Sequence, residues 1–360
     1  MSQKFDAIII TSDEPYGLMW HTQLIYADFL SKDTPVFYIA APKKWTPANV
    51  FKRIHKKTVI GSLRIIDYLN IYPSQWNDLN DKLLAQYILT ELKEIQARKI
   101  LIWHFDSFRS SFKEKFFSDQ VSLKRIYHVI DPFYHNPIND WLSRHADILA
   151  LTSERNKVYY QAYDEKTIIV PQAIDLDLHN HYLEKDPKSG LPKKFAVLLG
   201  SISDDVDIQL LHSLFSGSGI ELVVIGKAAE LPKQQQHWEK LIALPNIHYR
   251  GILPPQDFYP ILKRAFAGLI IYTAQKQKQV SSPLKVLNYL VAGLPVITNL
   301  NCEIDQLIGQ GIYEAKNETA LREDLKKASR NDLKINKEAV DKYLNEVSLQ
   351  NIIHTLYARL

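Results

Sequence analysis

The chain carries a single cysteine, Cys302, which rules out an internal disulfide framework and a cysteine-rich metal site and suits a reducing cytosol. No uninterrupted apolar run approaches the ~20 residues that a membrane-spanning helix needs. The N-terminal "MSQKFDAIIITSDEPYG" is apolar too briefly, and too soon interrupted by charge, to read as a signal peptide. A formal charge of +4 is small for 360 residues and gives no reason to expect a nucleic-acid partner. P-loop, GxGxxG and GxSxG patterns are missing, as are internal repeats, low-complexity tracts and clustered metal-ligand spacing, so no metal or cofactor is expected. These absences leave a cytoplasmic protein, soluble or peripheral on the inner face of a membrane.

What remains is ordinary globular material: 46% apolar and 23% charged residues, enough for real cores. The length favours two domains. Short apolar runs alternate with amphipathic helical patterns: "FDAIIITS" (5–12), "PVFYIA" (35–40), "KILIWHFD" (99–106), "RIYHVID" (125–131), "DILALTS" (147–153) and "TIIVPQ" (167–172). Continuous apolar strands separated by helices imply βαβ units and a parallel sheet covered on both faces. The stretch 176–194 is polar and carries Pro187, Ser189, Gly190 and Pro192, so it reads as a linker. The rhythm then restarts at 194–201, 220–227, 246–251, 267–273, 294–299 and 311–315. The expected fold is α/β, two Rossmann-like doubly wound domains facing a cleft. One spans 1–175, a linker covers 176–192, the other spans 193–345, and a final helix at 346–360 crosses back to the first domain.

The stretch "QVSSPLKVLNYLVAGLPVITN" (279–299) is the most informative. Ser281 or Ser282 suits a helix cap, Pro283 the first helical position, and Gly293 followed by Pro295 the stop. A helix over 283–292 then puts Lys285 and Asn288 on a face separate from the apolar stripe Leu284, Leu287 and Val291. Free N–H groups, serine hydroxyls and an ammonium at one helix start make an anion site fit for a phosphate or diphosphate. The plainer reading is a capped helix whose lysine opposes the macrodipole by a few tenths of a kcal/mol.

That segment resembles "SPxKxxEYxAxGxPVI" of bacterial GT-B nucleotide-sugar glycosyltransferases of the family 4, or group 1, type. "VLLGSISDDVDIQLL" (197–211) resembles the strand, glycine loop and helix that open their donor domain. The stretch 221–272 is similar to their next three strand–helix units, and 125–175 to the end of their acceptor domain. The resemblance implies an N-terminal acceptor-binding and a C-terminal donor-binding domain, with a nucleotide-diphosphate sugar as donor substrate. It places Gly200 and Ser201 against the diphosphate, Ser281, Ser282 and Lys285 on the phosphates, and Asn288 where relatives have a ribose-binding glutamate. Tyr249, Arg250 and Gly251 fall in a loop near the base. Val280 and Asn288 replace both acids of the E-x7-E motif, so a retaining outcome is not implied.

A positioned hydroxyl attack needs a base at the strand ends of the first domain. Asp13 and His21, His104 and Asp106, and His128 and Asp131 stand there, each equally readable as a cap for the next helix. Asn288 can still accept one hydrogen bond and donate another. The basic run 43–57, with Lys43, Lys44, Lys52, Arg53, Lys56 and Lys57 among apolar residues, suits either an anionic membrane surface or plain solvent. "SDDVD" (203–207) looks like a metal-binding D-x-D but sits where a helix cap belongs. The leading expectation is sugar transfer to a hydroxyl of a glycan or lipid-linked acceptor, in cell-surface polysaccharide or glycolipid synthesis. The alternatives are a nucleotide-sugar epimerase or hydrolase of the same fold, and a nucleotide- or sugar-binding protein without turnover.

Overall fold

The computed structural model describes residues 5–17, 21–41, 46, 55–70, 72, 76–107, 117, 121–130, 136–186, 190–228, 232–277 and 283–360. The chain divides into two compact units. One gathers the N-terminal stretch to Gly17, His21–Pro171 and Ile352–Leu360, and the other is built on Gln172–Asn351.

The first unit holds β1 (Ala7–Thr11), α1 (Thr22–Leu30), β2 (Val36–Ile39), β3 (His55–Ile60), β4 (Leu63–Tyr68), α2 (Asn77–Glu94), β5 (Lys99–His104), β6 (Ser122–Val129), α3 (Pro137–His145), β7 (Ile148–Leu151) and β8 (Thr167–Ile169). The sheet order is β3-β4-β2-β1-β5-β6-β7-β8, parallel except for the β3–β4 pair. The central strands are buried on both faces: all five residues of β1 and the last five of β5 are inside. This is why they read as unbroken apolar runs.

The pattern of residues 42–57 suggests a basic segment and hides the β3–β4 hairpin that the structure forms there and beyond. Two lysines and the exposed Thr58, Val59 and Ile60 disguise an edge strand. Its two-residue turn at Gly61 and Ser62, with Gly61 at φ +57°, is the signal that could have found it.

The second unit begins with α4 (Leu176–Leu183), inside the stretch read as linker. Asp175 caps it by accepting from the Leu178 N–H at 3.2 Å. Leu176, His179, Tyr182 and Leu183 form a stripe at helical spacing that the surrounding polar residues hid. His179 is buried, its ring edge-on to Tyr259 at 4.7 Å. Then come β9 (Phe195–Leu199), α5 (Ile208–Phe215), β10 (Glu221–Ile225), α6 (Pro232–Ile242), β11 (Ile247–Tyr249), α7 (Pro255–Arg264), β12 (Ala267–Ile270), α8 (Ala274–Gln277), α9 (Leu284–Val291), β13 (Val296–Thr298), β14 (Ile312–Glu314), α10 (Glu318–Ser329) and α11 (Lys337–Glu346). The sheet is wholly parallel in the order β11-β10-β9-β12-β13-β14. One continuous core packs about it, with members from Ile174 to Val347. The last helix, α12 (Leu349–Arg359), passes from the second unit into the first, where Tyr357 meets Phe5 edge to face at 5.6 Å.

Candidate functional site

In the second unit the chain runs outward through β9, β10 and β11, then resumes on the other side with β12, β13 and β14. The topological switch therefore lies between β9 and β12, and in open parallel sheets ligands collect at the carboxyl ends of strands there. β9 and β10 are each followed directly by a glycine, Gly200 at φ +118° and Gly226 at φ +147°, and Gly251 at φ +68° follows β11 two residues on. A Cβ on Gly226 would stand 2.0 Å from the Gly200 carbonyl oxygen, so only glycine fits. The Gly200 N–H donates to Ile225 and the Gly226 N–H to Gly251, both at 2.8 Å. Three neighbouring strands thus turn with bare backbone at the crevice.

Lys285 reaches over this edge from the first turn of α9. Its Nζ lies 3.0 Å from the place a Gly200 Cβ would occupy and 5.0 Å from the centroid of the Tyr272 ring, just past β12. Asn299 clasps the Tyr272 backbone in both directions, accepting from its N–H at 2.9 Å and donating to its C=O at 2.8 Å. The α9 helix begins one residue later than the sequence suggested. Pro283 stands at the N-cap position and makes no side-chain cap. At the other end Gly293, at φ +73°, closes a Schellman turn: its N–H donates to Leu290 at 3.0 Å and that of Leu294 to Tyr289 at 2.9 Å. Ser281 and Ser282, the expected phosphate hydroxyls, and Val280 lie outside the described residues. Ser201 is half-buried beside Gly200.

Asn288 is buried, and its Oδ1 accepts from the Tyr259 hydroxyl at 2.7 Å. The sequence reading gave Asn288 one bond to accept and one to donate. The structure gives its acceptor a partner in the Tyr259 hydroxyl. Tyr249 donates to the Gly226 carbonyl at 3.0 Å, on the same glycine edge. Arg250 turns elsewhere, donating to the Gly190 carbonyl. Asp207, the last acid of "SDDVD", accepts from the Leu210 N–H at 2.9 Å and caps α5. A cavity of about 380 Å³ opens beside Thr273, one residue beyond Tyr272, lined by Val206, Asp207, Gln209, Gln234 and His237 among others. Among the described residues no group of three or more His, Cys, Asp or Glu is placed to hold a metal ion.

The first unit repeats the geometry, with its switch between β1 and β5. Asp13 is exposed on the loop after β1 and accepts from the Gln23 side chain at 3.1 Å. His21 is half-buried, its Nε2 3.7 Å from the Glu14 carboxylate. Burial lowers its pKa and Glu14 pulls the other way. His104 is 1% exposed and held from both sides, with Arg125 Nη1 at 3.1 Å from Nε2 and Thr11 Oγ1 at 3.2 Å from Nδ1. A guanidinium only donates, so Nε2 is the acceptor and Nδ1 carries the proton, which leaves no lone pair for a substrate proton. Asp106 is buried. His128 is fully buried against Phe105, with ring centroids 4.9 Å apart, and desolvation pushes its pKa down to about 3. Asp131 lies outside the described residues.

Tyr272, Gly226, Asn299 and Tyr289 escaped the sequence reading. Tyr272 and Tyr289 look like core residues within apolar runs. Gly226 repeats the strand-then-glycine pattern of Gly200 and was findable.

No family model matches the chain and no curated protein matches it. Solved structures do match along its whole length. The α,α-trehalose-phosphate synthase (UDP-forming) from Burkholderia xenovorans, in complex with glucose-6-phosphate, is 11% identical with a TM-score of 0.72, covering 98% of this chain and 99% of that one. Sucrose-phosphate synthase from Thermosynechococcus elongatus is 12% identical at a TM-score of 0.67, covering 98% of each. A glycosyltransferase from Rickettsia africae is 11% identical at 0.67, covering 99% and 97%. The fold is therefore the two-domain α/β architecture of GT-B glycosyltransferases.

Proposed function

We propose that the chain is a glycosyltransferase that takes a sugar from a nucleotide-diphosphate sugar and passes it to an acceptor hydroxyl. The single observation that carries this is the ammonium of Lys285 standing over bare backbone at Gly200, at the switch point of the second sheet. A leaving diphosphate develops negative charge, and a cation at a helix start stabilises that charge more in the transition state than in the ground state. The cavity beside Thr273, lined largely by polar side chains, takes the part of the donor remote from the diphosphate.

In the first unit, the loop after β1 supplies the accessible proton acceptors. Asp13 is the base we favour, and His21 with Glu14 the second choice. His104, with both nitrogens committed, orients Thr11 and Arg125 instead. The neighbours named trehalose-phosphate and sucrose-phosphate synthases, one of them holding glucose-6-phosphate, support a small sugar phosphate as acceptor over a glycan or lipid-linked one. Of the basic run that suggested a membrane surface, Lys43, Lys44, Lys52 and Arg53 lie outside the described residues, as does the side chain of Lys56. Lys57 is bound to buried Glu91 at 2.7 Å and serves the fold.

The test is a panel of UDP-, GDP- and dTDP-sugars read by thermal shift and nucleotide release, with and without sugar phosphates. Stabilisation by one nucleotide, with release that depends on acceptor, supports transfer. Release without acceptor means hydrolysis, and no stabilisation by any nucleotide removes the proposal.

A further inference from the structure

The loop that follows β1 is held from several directions. Ser12 is buried, and its Oγ accepts from the Glu14 N–H at 3.0 Å. The Tyr38 hydroxyl, on the neighbouring strand β2, lies 2.8 Å from Ser12 Oγ and 2.9 Å from the Glu14 carbonyl oxygen. Tyr16 donates to Asp28 of α1 at 2.9 Å and meets the Tyr38 ring edge to face at 5.7 Å. The backbone that carries the exposed Asp13 therefore has one defined path.

Gln23 adds a hold on the Asp13 side chain itself. It lies in the first turn of α1, is 6% exposed, and its Nε2 donates to Asp13 Oδ1 at 3.1 Å. Burying a glutamine is unfavourable unless its amide is bonded, and the bond this one makes is to the carboxylate after β1. Such a bond favours the ionised carboxylate, which makes it a weaker base, and it also fixes where the group points. Placement is the larger effect. A shift of 1 Å in a reacting group costs about 10²-fold in rate, whereas basicity enters only through a partial Brønsted response.

We propose that Gln23 is a positioning residue for proton transfer: its buried amide holds Asp13 Oδ1 and so aims the carboxylate at the acceptor hydroxyl. The inference rests on the reading of Asp13 as the base and assigns Gln23 no contact with substrate. In the step it serves, the acceptor O–H bond breaks and its proton passes to Asp13. The acceptor oxygen bonds to the anomeric carbon of the donor sugar, and the nucleoside diphosphate leaves with the electron pair of its own bond to that carbon.

Gln23→Met in the full chain tests it, since methionine keeps the length and helix preference of glutamine but offers no donor. The readout is acceptor-dependent UDP release from UDP-glucose with glucose-6-phosphate, or from the donor–acceptor pair that supports turnover in the panel. A folded variant should lose about tenfold in kcat at neutral pH, with KM for the donor and calorimetric affinity for UDP unchanged. The acid limb of kcat should move to higher pH, because Asp13 protonates more readily once the amide is gone. Glu14 and His21 on the same loop, and Asp28 on α1, are present in both proteins, so a displaced limb reports Asp13. A merely structural glutamine would lower Tm and leave the acid limb where it was. Should Gln23→Met not fold, Gln23→Leu takes its place with the same expectation. An unchanged acid limb in a folded variant overturns the positioning role. Full turnover in Asp13→Ala removes the base assignment, and this role with it, while the transferase reading stands. A wild-type chain without acceptor-dependent release overturns both.

Discussion

Replacing Lys285 with alanine removes one charge from the crevice and little else. Its ammonium has a cation–π contact with Tyr272, centroid distance 5.0 Å, which at a half-exposed site contributes about 0.5–1 kcal/mol. Against that, a cation in the first turn of α9 opposes the helix dipole by about 0.3–1 kcal/mol. The two effects are of equal size and opposite sign, so stability should move by less than about 0.5 kcal/mol. Ligand binding has no such cancellation. A charge-assisted hydrogen bond to a phosphate oxygen contributes about 1.5–3 kcal/mol, equivalent to roughly 10- to 150-fold in affinity. Calorimetric titration of the nucleoside diphosphate and of the bare nucleoside into wild type and Lys285→Ala separates the terms. The diphosphate should weaken by that factor, the nucleoside should not change, and the thermal midpoint should stay within a degree or two. Equal losses for both ligands, or none for either, would refute the phosphate role of Lys285.

Gly226→Ala should be strongly damaging, since its Cβ would meet the Gly200 carbonyl at 2.0 Å; a loss of about 3 kcal/mol or more in urea unfolding is expected. Arg125→Met should cost about 2 kcal/mol by the same measure, because it leaves the buried His104 Nε2 without its donor. Acid sensitivity follows from two buried histidines, His128 with its pKa lowered to about 3 and His179 to about 4, both by desolvation. Their folded pKa values lie below the unfolded 6.5, so the unfolded chain binds protons first and stability falls as pH drops below about 6.5. Between pH 7 and pH 5 each contributes a loss of about 2 kcal/mol, visible in denaturation series, and His179→Gln should flatten part of that slope.

Strands buried on both faces announced themselves, which is why β1, β5, β9 and β12 were legible: a parallel strand under helices has no polar face to blur its pattern. The stop of α9 at Gly293 was equally plain, since φ +73° there favours glycine. The β3–β4 hairpin and α4 were not, because an edge strand with lysines and a helix rich in His, Asn and Tyr both look like loop when only composition is read. Within the site, Lys285 and Gly200 stood out as exceptions to local preference. Tyr272 and Tyr289 did not, because their work depends on pairing across 13 and 90 residues of sequence, Lys285 with Tyr272 and Leu199 with Tyr289, which no local pattern shows. Asn288 was found by its place in the motif, but its committed acceptor is visible only through Tyr259.

The most direct measurement is a crystal structure of the chain with a nucleoside diphosphate bound. The account predicts the β-phosphate within hydrogen-bond reach of Lys285 Nζ, above the backbone of Gly200 and at the start of α9. A diphosphate lodged away from that helix start, with Lys285 still against Tyr272 and nothing over Gly200, would contradict it.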